Sequence, residues 1–70
     1  MDRSERRAIL GQVYAALEEE GYSPPDQIMG YILTGKAFYI TNHNGARKLI
    51  QQINRKELAQ DLLLFYISPT

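Results

Sequence analysis

The chain has 70 residues, no cysteine, one histidine, and eight basic against eight acidic residues. That length allows one domain, which buries only about 60% of the surface its unfolded form exposes, and the missing cysteines remove disulfides and thiolate zinc sites as staples. Balanced charge argues against a protein whose task is to neutralise nucleic-acid phosphates.

No run of about 20 apolar residues is present, and the first residues form no signal-like apolar stretch. The expected setting is therefore the cytoplasm without membrane insertion, and pairing with a second copy is the expected remedy for a small core.

Residues 1–4 have nothing to bury and are expected to be flexible, with Ser4 as the N-cap of a first helix. Ile9, Leu10, Val13, Tyr14 and Leu17 recur at helical spacing to about residue 20, with Ala8, Ala15 and Ala16 on the flanks. Gly11 inside this stripe costs roughly 1 kcal/mol of helix propensity relative to alanine, which marks a weak first turn or, the favoured reading, a close helix contact. Glu18, Glu19 and Glu20 end the pattern. They oppose the helix dipole, so they are expected to be solvated or to meet a partner's basic residues.

Gly21 is a stop signal, because glycine enters the left-handed region without steric cost. Ser23 then reads as an N-cap, with Pro24 or Pro25 at the first helical position and Asp26 placed for a capping box. Ile28, Met29, Ile32 and Leu33 line one face of this second helix, and Gly35 stops it. Residues 36–41 have no helical spacing and read as an extended connection. Its Phe38, Tyr39 and Ile40 must fold back on the core or meet another molecule.

Thr41 or Asn42 can cap a third helix, with Ala46, Leu49, Ile50 and Ile53 on one face and Arg47, Lys48, Gln51 and Gln52 on the other. Asn54 ends it and caps a fourth, since Glu57 stands at the capping-box position. Leu58, Leu62 and Phe65 form one stripe of that last helix, yet Leu63, Leu64, Tyr66 and Ile67 spread apolar character around most of its circumference. A terminal helix apolar on more than its inward face packs against a second surface, and its own twin across a two-fold axis is the nearest candidate. The expectation is an all-α fold, a compact four-helix domain over residues 1–70 that forms a homodimer, with Leu58, Leu62, Leu63, Phe65 and Tyr66 in the seam. Tyr39, Ile40, His43 and Arg47 are the expected partner-facing surface.

Chemistry is not evident. Thr34, Gly35 and Lys36 lack the upstream glycine and preceding strand of a phosphate loop. His43 near Arg47 could meet an anion at a helix start, but no nucleophilic cysteine and no evident paired carboxylate accompany it. No catalytic residue, cofactor or metal is expected. The second and third helices invite an alternative reading as a helix-turn-helix DNA-binding regulator. Against it, the connection is long and aromatic, and only Arg47 and Lys48 supply clustered charge.

Residues 9–67 resemble the IreB family of small regulatory phosphoproteins of Gram-positive bacteria. The likeness runs through Val13, Tyr14, Ala16, Leu17, Gly21, Tyr22, Ser23 and Pro24, then Gln27, Ile28, Met29, Gly30, Tyr31, Leu33 and Gly35. It continues through Ala37, Tyr39, Ile40, His43, Ala46, Arg47, Leu49 and Ile50 into the helix over residues 55–66. The resemblance implies a non-enzymatic homodimer that is a substrate of a membrane-bound Ser/Thr kinase and that tunes the cell-envelope stress response, including tolerance of wall-targeting antibiotics, through an unidentified protein partner. Family members usually carry phosphate-accepting threonines on a longer N-terminal arm, whereas no threonine here precedes Thr34. Ser4 is the substitute phosphorylation site. Lys36 and Thr41 also stand where the family tends to place an acid and a proline.

Overall fold

The computed structural model describes residues 1–69. Four α-helices, α1 (Arg3–Glu19), α2 (Pro24–Thr34), α3 (Ala46–Gln51) and α4 (Arg55–Ile67), are joined with two 3₁₀ turns at Ala37–Tyr39 and His43–Gly45. Every regular element among the described residues is helical, as the periodicity predicts.

The first helix starts earlier than Ser4 allows. Asp2 is its N-cap, accepting from the Glu5 amide at 2.9 Å while Glu5 Oε1 accepts from the Asp2 amide at 3.4 Å. This reciprocal capping box satisfies two orphan donors at once, and a serine with no acid three residues on cannot do the same. Ser4 therefore lies exposed within the first turn. At the other end the Gly21 amide donates to Glu18 and the Tyr22 amide to Leu17, both at 3.0 Å, with Gly21 at φ 82°. That is the Schellman closure. The helix contact expected at Gly11 is absent, since a Cβ built there meets nothing within 4 Å.

Ser23 occupies the N-cap of α2 and Pro24 its first position, but neither a Ser23 cap bond nor an Asp26 capping box forms. Gly35 ends α2 at φ 74° and donates to the Tyr31 carbonyl at 2.7 Å. Residues 36–41 are not simply extended: a 3₁₀ turn over Ala37–Tyr39 folds the Tyr39 ring back onto α2. Neither Thr41 nor Asn42 caps α3, whose N-cap is Gly45; the Thr41 Oγ1 instead accepts from the His43 amide at 3.2 Å, at the start of the next 3₁₀ turn. Asn44 and Gly45 are left-handed, at φ 53° and 71°, so α3 begins only at Ala46. Asn54 caps α4 by accepting from the Glu57 amide at 3.1 Å.

The core sits where α1 crosses α2 and α3. Ile9, Val13, Ala16 and Leu17 meet Ile28, Tyr31 and Ile32 from one side and Ala46, Ile50 and Ile53 from the other, and Ile40 and Leu58 seal its ends. Ile40 is 0% and Leu58 2% exposed, so in the single chain both are buried in this core rather than presented on its surface. The 3₁₀ turn carries Ile40 inward, and Leu58 occupies the first turn of α4, where that helix leaves the bundle core.

Candidate functional site

Beyond Leu58 the fourth helix gives the core little. Ala59 and Leu62 pack partly against it, whereas Leu63, Phe65 and Tyr66 are 59%, 77% and 87% exposed, with Leu64 and Ile67 exposed as well. Beside these side chains runs a groove between α1, α2 and α4. Leu10, Tyr14, Pro25, Ile28, Met29 and Leu62 line its apolar stretch, and Leu58 and Phe65 continue it toward Arg3, Arg6, Arg7 and Asp61. Its two depressions, which share Leu10 and Leu62, hold about 260 and 250 Å³.

One end of the groove is fixed by ions. Arg6 grips Asp61 with two nitrogens, Nη2 to Oδ1 at 3.0 Å and Nε to Oδ2, and its Nη1 donates to Glu57 Oε2 at 3.1 Å and to the Met1 carbonyl at 2.8 Å. Arg3 Nε adds a bond to Asp61 Oδ1 at 3.3 Å. Hydrogen bonding from Arg6 holds the Asp61 carboxyl below its ordinary pKa, helped by the Arg6 charge and by Arg3 and opposed by partial desolvation. The same bond raises Arg6. The start of α1 is thus strapped to the middle of α4, a contact spanning most of the sequence.

The residues expected to face a partner serve mainly to hold the loop. The half-buried Tyr39 ring lies on Gly30, where an added Cβ would come within 2.5 Å of it, and the Tyr39 carbonyl accepts from Gln27 Nε2 at 3.0 Å. Arg47 Nε donates to the Ile40 carbonyl at 2.8 Å. His43 has carboxylate neighbours after all: its Nε2 is 3.3 Å from Glu19 Oε1 and its Nδ1 is 3.7 Å from Glu20 Oε1. Two of the three terminal glutamates of α1 therefore face this imidazole.

A second exposed apolar region includes part of the 38–40 run that the sequence expects to fold back or to meet another molecule. Leu33 and Phe38 are 75% and 68% exposed at the end of α2. Phe38 stacks on Tyr39 with centroids 4.7 Å apart, and Lys36 Nζ stands 6.0 Å from the Phe38 ring. Arg55 closes this region, its Nη1 donating to the Ile32 carbonyl at 2.9 Å and its guanidinium covering Gly35. Gly35, left-handed at φ 74°, separates Leu33 from Phe38 along the chain.

The structure does not form the helix-turn-helix alternative. α3 spans six residues, the connection before it contains two 3₁₀ turns, and Arg47 is engaged with Ile40. No helix among the described residues is long and apolar enough to cross a membrane.

A "UPF0297 protein" of Lachnoclostridium phytofermentans is 48% identical over 59 residues, covering 84% of this chain and 67% of its own. Another "UPF0297 protein", from Acetivibrio thermocellus, is 48% identical over 64 residues, covering 91% of this chain and 71% of its own. The family of the IreB regulatory phosphoprotein matches residues 1–68, and over that span the chain belongs to it.

Proposed function

We propose that this chain is a non-enzymatic cytoplasmic regulator, a single helical domain that works as a homodimer by protein contact. On this reading it is a substrate of a transmembrane Ser/Thr kinase and modulates the cell-envelope stress response and tolerance of wall-targeting antibiotics. The family's description as a regulatory phosphoprotein supports the regulatory part. The observation that bears most on mechanism is the exposure of Leu63, Phe65 and Tyr66 next to an apolar groove lined by Leu10, Tyr14 and Met29. So much apolar surface on so small a protein is the mark of a contact site.

The seam comprises Leu62, Leu63, Phe65 and Tyr66, with a two-fold axis letting each copy supply both ridge and groove. Ser4, exposed in the first turn of α1 with Arg3 and Arg7 as neighbours, is the phosphate acceptor. Sedimentation equilibrium tests the seam: the wild type should have twice the protomer mass and Leu63→Asp the protomer mass with α-helical circular dichroism retained. A wild-type monomer across micromolar concentrations, or a dimer unmoved by the substitution, would overturn it. Incubation with a Ser/Thr kinase domain and ATP should add one phosphate to the wild type and none to Ser4→Ala.

A further inference from the structure

The zero net charge of the chain conceals a segregation. All eight carboxylates lie outside residues 27–56, while five of the eight basic side chains, Lys36, Arg47, Lys48, Arg55 and Lys56, lie within that segment. Leu33, in the last turn of α2, and Phe38, in the 3₁₀ turn after it, both fall in this carboxylate-free segment of the sequence. Leu33 and Phe38 are mostly exposed, Lys36 stands by the Phe38 ring, and Arg55 sits against Gly35 at the start of α4.

We propose that the surface made by Leu33, Lys36, Phe38, Tyr39 and Arg55 binds an acidic segment of a partner protein, one that sets an aliphatic or aromatic side chain on Leu33 and Phe38 and carboxylates on Lys36 and Arg55. This deepens the reading of the chain as a regulator that works by contact, and it rests on that reading. Arg55 spends one donor on the Ile32 carbonyl, and the remainder of its five-donor fork can take a carboxylate in parallel geometry. Tyr39, held between Gly30 and the Gln27 bond, keeps Phe38 stacked outward, so the apolar platform needs no ordering when a partner arrives. The mixture of apolar centre and cationic rim favours an acidic peptide over a nucleic acid, whose phosphates would gain nothing from Leu33. A second copy offering its Glu18, Glu19 and Glu20 in a head-to-tail contact would give rings or open chains of molecules. The surface lies at the opposite end of α4 from Tyr66, about one length of that helix away, or roughly 20 Å.

The test selects random phage-displayed peptides on the full chain and titrates synthetic copies of the enriched ones by fluorescence anisotropy. Asp and Glu flanking Phe, Leu or Trp should dominate, and Lys36→Glu and Phe38→Ser should each weaken binding by about tenfold or more, as loss of a central interface residue does. Both positions are exposed, so the variants should melt with the wild type; Lys36→Gln and added salt give a milder, graded loss in the same direction. Absence of enrichment, enrichment of neutral or basic peptides, or affinities unmoved by either substitution would overturn the proposal. So would displacement of the peptide by duplex DNA or phosphatidylserine vesicles, or concentration-dependent chain growth of the protein alone at low salt. A monomer that still selects acidic peptides removes the α4 seam and keeps this surface, and a dimer that selects none does the reverse.

Discussion

The same substitution should have opposite signs at two glycines. Gly11 and Gly30 are both helix-interior, and alanine gains roughly 1 kcal/mol of propensity over glycine at such positions. At Gly11 nothing lies within 4 Å of the new Cβ, so Gly11→Ala should realise most of that gain. At Gly30 the new Cβ would stand 2.5, 2.6 and 2.9 Å from three ring carbons of Tyr39. The ring cannot simply swing away, because the Tyr39 carbonyl is tied to Gln27 and its ring to Phe38. Overpacking of this kind costs about 1–3 kcal/mol, which offsets the propensity gain and leaves a net loss of about 1 kcal/mol. The two variants should therefore differ by about 2 kcal/mol, or roughly 8–16 °C in midpoint for a domain of this size. Thermal melts followed by far-UV circular dichroism at one fixed protomer concentration measure this directly, the fixed concentration being needed if assembly contributes. Equal stabilisation by both alanines would refute the packing of Tyr39 on Gly30.

Three further outcomes follow from the caps, the strap and the N-terminal turn. Asn54→Ala should cost about 1 kcal/mol, whereas Ser23→Ala, whose hydroxyl caps nothing, should stay within about 0.5 kcal/mol in the same urea titration. The Asp61 carboxyl is held below its ordinary value of 3.8, so its stabilising effect is complete above that value and disappears as pH falls through the lowered one. The urea midpoint of Asp61→Asn should thus fall short of wild type by a constant amount from about pH 5 to 8, and converge with it only in stronger acid; a gap that changes across that neutral window would count against the assignment. Ser4→Glu should raise stability by about 0.3–1 kcal/mol at low salt, as a negative charge in the first turn of α1 does, and a lowered midpoint would argue against Ser4 as a benign site for phosphate.

Local signals in the sequence located what local physics decides. The stops at Gly21 and Gly35, the cap at Asn54 and the apolar stripes of α1 and α2 are each set by neighbours within about one turn. Asp2 rather than Ser4 is the cap because Glu5 follows Asp2 at the box position, whereas Arg7 stands there for Ser4. The late start of α3 turns on left-handed backbone at Asn44 and Gly45, a pair whose residue types were the available sign. Ile40 and Leu58 are apolar residues whose fate depends on how the loop and the last helix meet the bundle, which no periodicity encodes. The same holds for Arg6 with Asp61, Arg55 with Ile32, and His43 with Glu19, where partners lie 55, 23 and 24 positions apart. Excess apolar surface on α4 was legible because it is a property of composition around one helix. Exposure of Phe38 is one of the two outcomes open to its run, whereas the exposure of Leu33 is not encoded in its spacing, which groups it with Ile28, Met29 and Ile32.

The last two turns of α4 have a thermodynamic consequence for a lone protomer. From Leu63 onward the helix rests on nothing buried, so these turns can melt and re-form without disturbing Val13, Leu17 or Ile50. Their backbone amides would trade hydrogen for deuterium at nearly peptide speed in an isolated molecule and slow only while something lies across them. Deuterium uptake in that one segment is consequently a built-in gauge of occupancy, readable by mass spectrometry without any label on the protein.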